Sequence, residues 1–291
     1  MKSMSYDPTA AATHLEWASR TGLRIGDLPP GARPGSLEEG YAAQAIFVKQ
    51  MNEPVVGWKI AGASPRGLRG DLPTAPAHGC LTPSRVIASG GLLKFPSNAK
   101  ATLETEVAFR FSRSVSPAEE AFEVSSMIDH AFIAIEVVCS RFIDRKAVGQ
   151  PSFIADNLGF HALICGERVD PFDPRKFEGD AGVWQNGERI AISLSGDDRT
   201  RPFDSLKFLW GELARQRKTI LEGAIVTTGT LSAPVDVETN GSFRAQISGA
   251  KVDVTFLRSD EGEVHSETVQ STCASTSDWM DTGTPFKQAE Y

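Results

Sequence analysis

The sequence predicts an α+β fold, with a β-dominated core, helices packed on it, and a small helical region ahead of it. Two observations carry this. From Val55 onward, short β-prone runs alternate with Gly and Pro punctuation. Ahead of Val55, two segments with helix-start signals flank a Gly/Pro-rich linker. The 291 residues are 41% hydrophobic, enough to bury the core of one large domain or two smaller ones.

The first helix is predicted from Asp7-Pro8, a cap followed by a residue suited to the first turn, to about Arg20. The linker holds Pro29, Pro30 and Pro34, which cannot continue a helix. The second helix is predicted from Ser36, with Glu39 completing a capping box, and carries Tyr41, Ala42, Ile46, Phe47 and Met51 at roughly helical spacing. Strands are predicted at 55–60, 85–87, 103–111, 134–138, 162–164, 190–194, 224–228, 243–247 and 252–257. Two helices interrupt them. One runs from the capping box Ser116-Pro117-Ala118-Glu119 to about Phe132, the other from after Asp204 to about Arg217. Residues 259–291 are polar and read as a disordered tail, the alternative being an extension that packs on a neighbour. The expected organisation is therefore a helical region over 1–54, a β domain over 55–258 and a tail over 259–291.

Net charge is −7, and no Lys/Arg cluster falls on a predicted helix, so no nucleic-acid or anionic-membrane partner is expected. Cys80, Cys139, Cys165 and Cys273 lack metal or redox spacing and read as thiols in a reducing compartment. The N-terminus has no apolar core of a secretory signal, and apolar runs such as 132–138 are too short to span a bilayer, so the cytoplasm is expected.

Alternation along 103–111 puts Glu104 and Glu106 on one face with Ala108 and Arg110, their side chains about 7 Å apart. Alone, this pattern fits a solvated face that Arg110 partly neutralises. Glu136 lies inside the apolar run Phe132-Ile133-Ala134-Ile135-Glu136-Val137-Val138 and is expected to be buried. A buried, unpaired carboxylate is costly, and the remedies are protonation, an Arg partner such as Arg141, or a metal. Three acidic residues on two β-prone segments suit a hard, oxygen-liking cation.

The segments 103–109, 134–142 and 155–157 resemble the E-x-E-x-A-F, A-x-E-x-x-x-S-R and A-D-N motifs of the 2-keto-4-pentenoate hydratase / 2-oxohepta-3-ene-1,7-dioate hydratase family, part of the fumarylacetoacetate hydrolase superfamily. Tyr41-Ala42-Ala43-Gln44, Gly57-Trp58-Lys59-Ile60, Gly223 and Thr228-Gly229 resemble further family segments in the same order, so the resemblance covers about residues 36–257. It implies a mixed β-sandwich roll around a metal, with Mg2+ or Mn2+ on Glu104, Glu106 and Glu136. It implies a small 2-oxo acid substrate, with Lys59 as charge stabiliser or proton carrier, Ser140, Asn157 and Thr228 at the substrate, and a homo-oligomer. The implied activity is a hydratase, a lyase adding water to a 2-hydroxydienoate or 2-oxoalkenoate in aromatic-compound catabolism. A decarboxylase or C–C hydrolase using the same metal, or a diverged binding protein, are the alternatives.

The chain departs from the family in places. Its P-D-F/Y-G turn is Pro76-Ala77-His78-Gly79, and its G-H-P is Thr200-Arg201-Pro202. His78, read as part of a Pro/Gly-punctuated loop, is expected either to take over the lost acid's proton transfer or to pack inward. Arg201 is expected either to grip a second substrate carboxylate or to lie on the surface near a helix start. A C–C hydrolase would need a water-activating His–Glu pair, and His14 and Glu16 do not share a helix face.

Overall fold

The computed structural model describes residues 6–67, 75–96, 99–173 and 175–259; the predicted tail lies almost wholly outside them. Asp7 caps α1 (Pro8–Thr21) by accepting the Thr9 N–H at 2.9 Å, and Gly22, left-handed at φ 70°, ends it. Ser36 caps α2 (Leu37–Gln50) by accepting the Glu39 N–H at 3.2 Å. The Glu39 carboxylate turns back to the Gly35 N–H at 2.6 Å instead of closing the box on Ser36. The buried sides of both helices share a cluster with Leu28, Phe142 and Val148.

The strands are β1 (Gly57–Ala61), β2 (Ala77–Leu81), β3 (Val86–Ala88), β4 (Gly91–Pro96), β5 (Ala101–Phe111), β6 (Ile128–Val138), β7 (Phe160–Val169), β8 (Ala181–Gln185), β9 (Glu188–Ala191), β10 (Ile225–Thr227), β11 (Val235–Val237), β12 (Gly241–Ile247) and β13 (Ala250–Ser259). Among them lie the short helices α3 (Val124–Met127), α4 (Gly149–Ala155) and α5 (Arg175–Glu178), and the longer α6 (Pro202–Arg215). The larger sheet runs β2-β1-β10-β5-β6-β7-β3, with β11 also paired to β5; the smaller runs β4-β13-β12-β8-β9. Parallel pairs (β1 with β10, β3 with β7, β4 with β13) sit among antiparallel ones, so both sheets are mixed and the fold is α+β.

Leu103, Val107, Phe109 and Ile133 of the larger sheet share one core with Phe243, Val252, Val254 and Phe256 of the smaller. α6 adds Leu206, Leu209, Trp210 and Leu213. That core takes the face of β5 and β6 opposite the glutamates.

Three expectations are corrected. Residues 116–132 are not one helix: Ser116 and Glu120 close a single turn, with the Ser116 N–H donating to the Glu120 carboxylate at 2.8 Å, and α3 adds one more. From Ile128 the chain is strand, because the β-branched and aromatic residues of 128–138 pair with β5 along its length. Tertiary pairing outweighs the local cap. Pro76–Gly79 does not stay a loop; from Ala77 it is the edge strand β2. The outward backbone groups of β2 are satisfied by side chains: the Tyr41 hydroxyl accepts the His78 N–H at 3.1 Å and the Gln44 amide donates to the His78 carbonyl at 3.1 Å. The Asn157 amide closes both backbone groups of Cys80, at 2.7 and 2.9 Å. Finally, the expected strand at 190–194 forms at Glu188–Ala191. Among the described residues, no helix is long and apolar enough to cross a membrane, and Cys80, Cys139 and Cys165 are free thiols.

Candidate metal centre

β5 and β6 pair in a register that sets Glu104 directly opposite Glu136 and Glu106 opposite Ala134. Alternation then puts all three carboxylates on one face, and one oxygen from each lies within 4.8 Å of the others. Glu106 and Glu136 are fully buried, while Glu104 is half-buried and marks the open side. β10, on the other side of β5, anchors Glu106: its Oε2 accepts the Thr227 hydroxyl and, at 2.9 Å, the Gly229 N–H. Its Oε1 is buried without a hydrogen-bond partner.

Lys59 enters from β1, in parallel register with Thr227. Its Nζ lies 2.6 Å from Glu136 Oε1, and both side chains are buried. Of the remedies open to Glu136, an Arg141 partner is not the one formed; the cation is Lys59. β6 ends at Val138, and Arg141 turns to Asp156, to which its backbone N–H and its guanidinium both donate. Lys59 passes close to Gly79 on β2: a Cβ there would sit 2.9 Å from the Asn157 carbonyl and 3.1 Å from Lys59 Cγ. Glycine leaves that space open. Asn157 is pressed to β2 by a turn in which Asn157, Leu158 and Gly159 all have positive φ, at 51°, 54° and 68°. For leucine this is a rarely populated conformation, held here by burial on all sides.

Three carboxylates thus face one ammonium in a buried setting. Burial and then the charges of Glu136 and Glu104 push the Glu106 carboxyl well above its usual range. Burial also raises Glu136, with Lys59 opposing. Without a further cation the cluster is electrostatically frustrated. The donors are all carboxylate oxygens, two buried oxygens, Glu106 Oε1 and Glu136 Oε2, lack a hydrogen-bond partner, and the side toward Glu104 is only half-buried. These features fit a hard divalent cation that keeps positions for water or substrate.

The other expected site residues fall in different places. Ser140 is buried and donates to Asp156 Oδ2 at 2.6 Å. The Asn157 amide is spent on Cys80, and the Thr228 hydroxyl donates to the Val107 carbonyl at 2.8 Å. All three hold the scaffold of the site. Arg201 occupies the N-cap position of α6 with its side chain 64% exposed, 4.0 Å from Asp204. His78 pairs with Ile60, one residue out of step with the Lys59–Gly79 pair, so its ring projects from the opposite face of β2. It is buried and stacked on Tyr41 at 4.7 Å between ring centroids. Burial and then Lys218 lower its pKa to about 4. Proton transfer near neutral pH by His78 is therefore corrected to the packing role; it is Ala77 that shares the Lys59 face. Thr227 is not singled out by the sequence, although Val226-Thr227-Thr228-Gly229 places its hydroxyl beside that of Thr228, and Gly229 enters there only as part of a motif, without its contact to Glu106.

Over 246 residues the chain is 22% identical to the 2-keto-4-pentenoate hydratase of Paraburkholderia xenovorans and, equally, to 2-keto-4-pentenoate hydratase 3 of Pseudomonas putida. Each alignment covers 82% of this chain and 90% of the relative. Among solved structures, it is similar to a 4-oxalocrotonate decarboxylase from Pseudomonas putida complexed with magnesium and adipate, with TM-score 0.71, 20% identity, and 86% of this chain and 97% of that chain covered. A calcium and acetate complex of 4-oxalocrotonate decarboxylase from the same organism gives TM-score 0.70, with the same identity and coverage. No family model matches the chain. The structural likeness establishes a shared fold.

Proposed function

We propose that this chain is a divalent-metal-dependent enzyme of the fumarylacetoacetate hydrolase superfamily that adds water to a 2-hydroxydienoate or 2-oxoalkenoate. The observation that carries this reading is the group of Glu104, Glu106 and Glu136, the last two buried, with Lys59 paired to Glu136. The three carboxylates would hold Mg2+ or Mn2+. When bound, such a cation supplies Lewis acidity and a template for the carboxylate and 2-oxygen of a 2-oxo acid. Lys59 supplies a fixed positive charge and a transferable proton beside Glu136, where burial strengthens its effect on charge developing in the substrate. Thr227 and Gly229 hold Glu106 in one orientation, so a free oxygen points to the centre. The hydratase reading is supported by the relatives aligned along most of the chain, and a homo-oligomeric assembly is part of the same proposal.

One observation favours a second reading. Ala77, on the Lys59 face of β2, packs with Phe153, Ile154 and Leu158, so this wall of the site offers no acid to handle water. Decarboxylation needs none. The bond to the departing carboxylate breaks, its electron pair delocalises toward the 2-oxygen, and a proton then reaches carbon.

The test is turnover of a panel of 2-hydroxydienoates, 2-oxo-alkenedioates and acylpyruvates by purified protein with Mg2+, following dienol absorbance and CO2. Loss of dienol absorbance without CO2 supports hydration. CO2 released in step with substrate loss selects the decarboxylase. No turnover of any substrate overturns both.

A further inference from the structure

A pocket with a largely apolar wall and several polar groups lies where the end of α1 meets the turn before β3, the segment after β6 and the start of β7. Ser19, Arg24, Arg85, Ser140, Arg141 and His161 supply its polar lining. Three arginines in one pocket call for anionic partners, and the protein supplies them unevenly. Arg141 is satisfied by the Asp156 carboxylate and carbonyl and by the Phe160 carbonyl at 3.1 Å. Arg24 donates one N–H to the Phe142 carbonyl, but its Nε is buried with no partner. The Arg85 backbone N–H donates to the Thr82 carbonyl at 3.0 Å, but its guanidinium makes no hydrogen bond or ion pair among the described residues. Glu53, the acid acting on it, already accepts from Ser84 at 2.9 Å through the backbone N–H and at 2.6 Å through the hydroxyl.

Arg24 and Arg85 are each half-buried, and guanidinium does not shed its charge in a protein. Charges of both signs act on them. Burial and then Arg141 lower the pKa of Arg85; burial lowers that of Arg24, with Arg145 and Arg141 adding to it against Cys139 and Asp156. Burial, Arg85 and Arg141 likewise push His161 well below its usual range. A buried guanidinium N–H without an acceptor is costly, and an anion is the remedy the pocket leaves open to Arg24 Nε and to the unpaired Arg85 guanidinium. Planar guanidinium groups match the two-oxygen edge of carboxylate or phosphate.

We propose that this pocket is a binding site for a small oxyanion, a carboxylate or a phosphoryl group, gripped by Arg24 and Arg85 and separate from the Glu104–Glu106–Glu136 centre. The proposal does not rest on the function proposed above.

Calorimetric titration of the metal-free full chain with inorganic phosphate and, separately, with succinate tests it, with chloride at matched ionic strength as control. Saturable binding near one site per chain is expected, absent with chloride. Phosphate tighter than succinate identifies a phosphoryl ligand; the reverse order identifies a carboxylate. Arg85→Gln and Arg24→Gln should each weaken binding tenfold or more, with Mn2+ affinity unchanged. Arg85→Lys, which keeps the charge but loses the fork, should weaken it less, and it serves as the reporter if a Gln variant fails to fold. Absence of saturable binding by both anions, or unchanged affinity in the Arg85 variants, overturns the proposal.

Discussion

Replacing Glu106 by Gln should make the metal-free protein more stable while weakening its hold on metal. Glu106 is fully buried, and its ligand oxygen lies within 4.8 Å of those of Glu104 and Glu136. At that distance and an effective dielectric of about 20, each pair repels by about 3.5 kcal/mol when both carboxylates are ionised. Lys59 offsets part of this through Glu136, and a Gln side-chain oxygen still accepts from Thr227 and Gly229. The net gain expected at pH 8 is about 1–3 kcal/mol, or several degrees in Tm for a chain of this size. The gain depends on pH. The Glu106 carboxyl is held above the usual range by burial and by its neighbours, so the metal-free fold retains a proton that the unfolded chain releases. Wild-type stability is then full below the ordinary carboxylate range and falls as pH rises through the raised folded-state value. Glu106→Gln removes that fall, so melting curves of variant and wild type should separate at pH 8 and converge at pH 4. In Mn2+ titration calorimetry the variant should bind at least about tenfold more weakly, a loss of about 1.4 kcal/mol. A metal-free Glu106→Gln protein less stable than wild type at pH 8, or one with unchanged Mn2+ affinity, would refute the reasoning.

Three further outcomes follow from the same geometry. Lys59→Met should lower turnover by about 10²-fold or more, as for loss of a charge stabiliser or proton carrier, while steady-state assays and Mn2+ titration show metal affinity held or tightened because Glu136 loses a competing cation. His78→Phe should leave turnover and its pH profile near wild type, since the ring is stacked on Tyr41 away from the Lys59 face; a lost limb near neutral pH in the rate profile would restore His78 to the chemistry. Gly79→Ala should cost about 1–3 kcal/mol in denaturant unfolding and depress turnover, because its Cβ would press on the Asn157 carbonyl and on Lys59; unchanged values for both would show that the contact is slack.

The carboxylate cluster was legible because its signal is local. Glu104 and Glu106 alternate on one strand, and Glu136 stands inside an apolar run, where only a compensated carboxylate is tolerated. The partner of Glu136 was not. Lys59 reaches it only because β1 pairs in parallel with β10, and β10 with β5, contacts more than a hundred residues apart along the chain. Arg141 was the plausible neighbour in sequence, yet the end of β6 at Val138 turns it away. β2 reads as a loop because it carries Gly79 just after Pro76; what makes it a strand is Tyr41, Gln44 and Asn157, supplied from distant segments. The helix expected from Ser116 failed for the opposite reason: a correct local cap was overridden by pairing with β5.

The central claim is that Glu104, Glu106 and Glu136 together hold a divalent cation. Anomalous diffraction at the manganese edge from crystals of Mn2+-loaded protein tests it most directly. The expected result is one strong peak within coordination distance, about 2–2.6 Å, of a carboxylate oxygen from each of the three residues. Three carboxylates gathered as described, with no peak among them at saturating Mn2+, would contradict it.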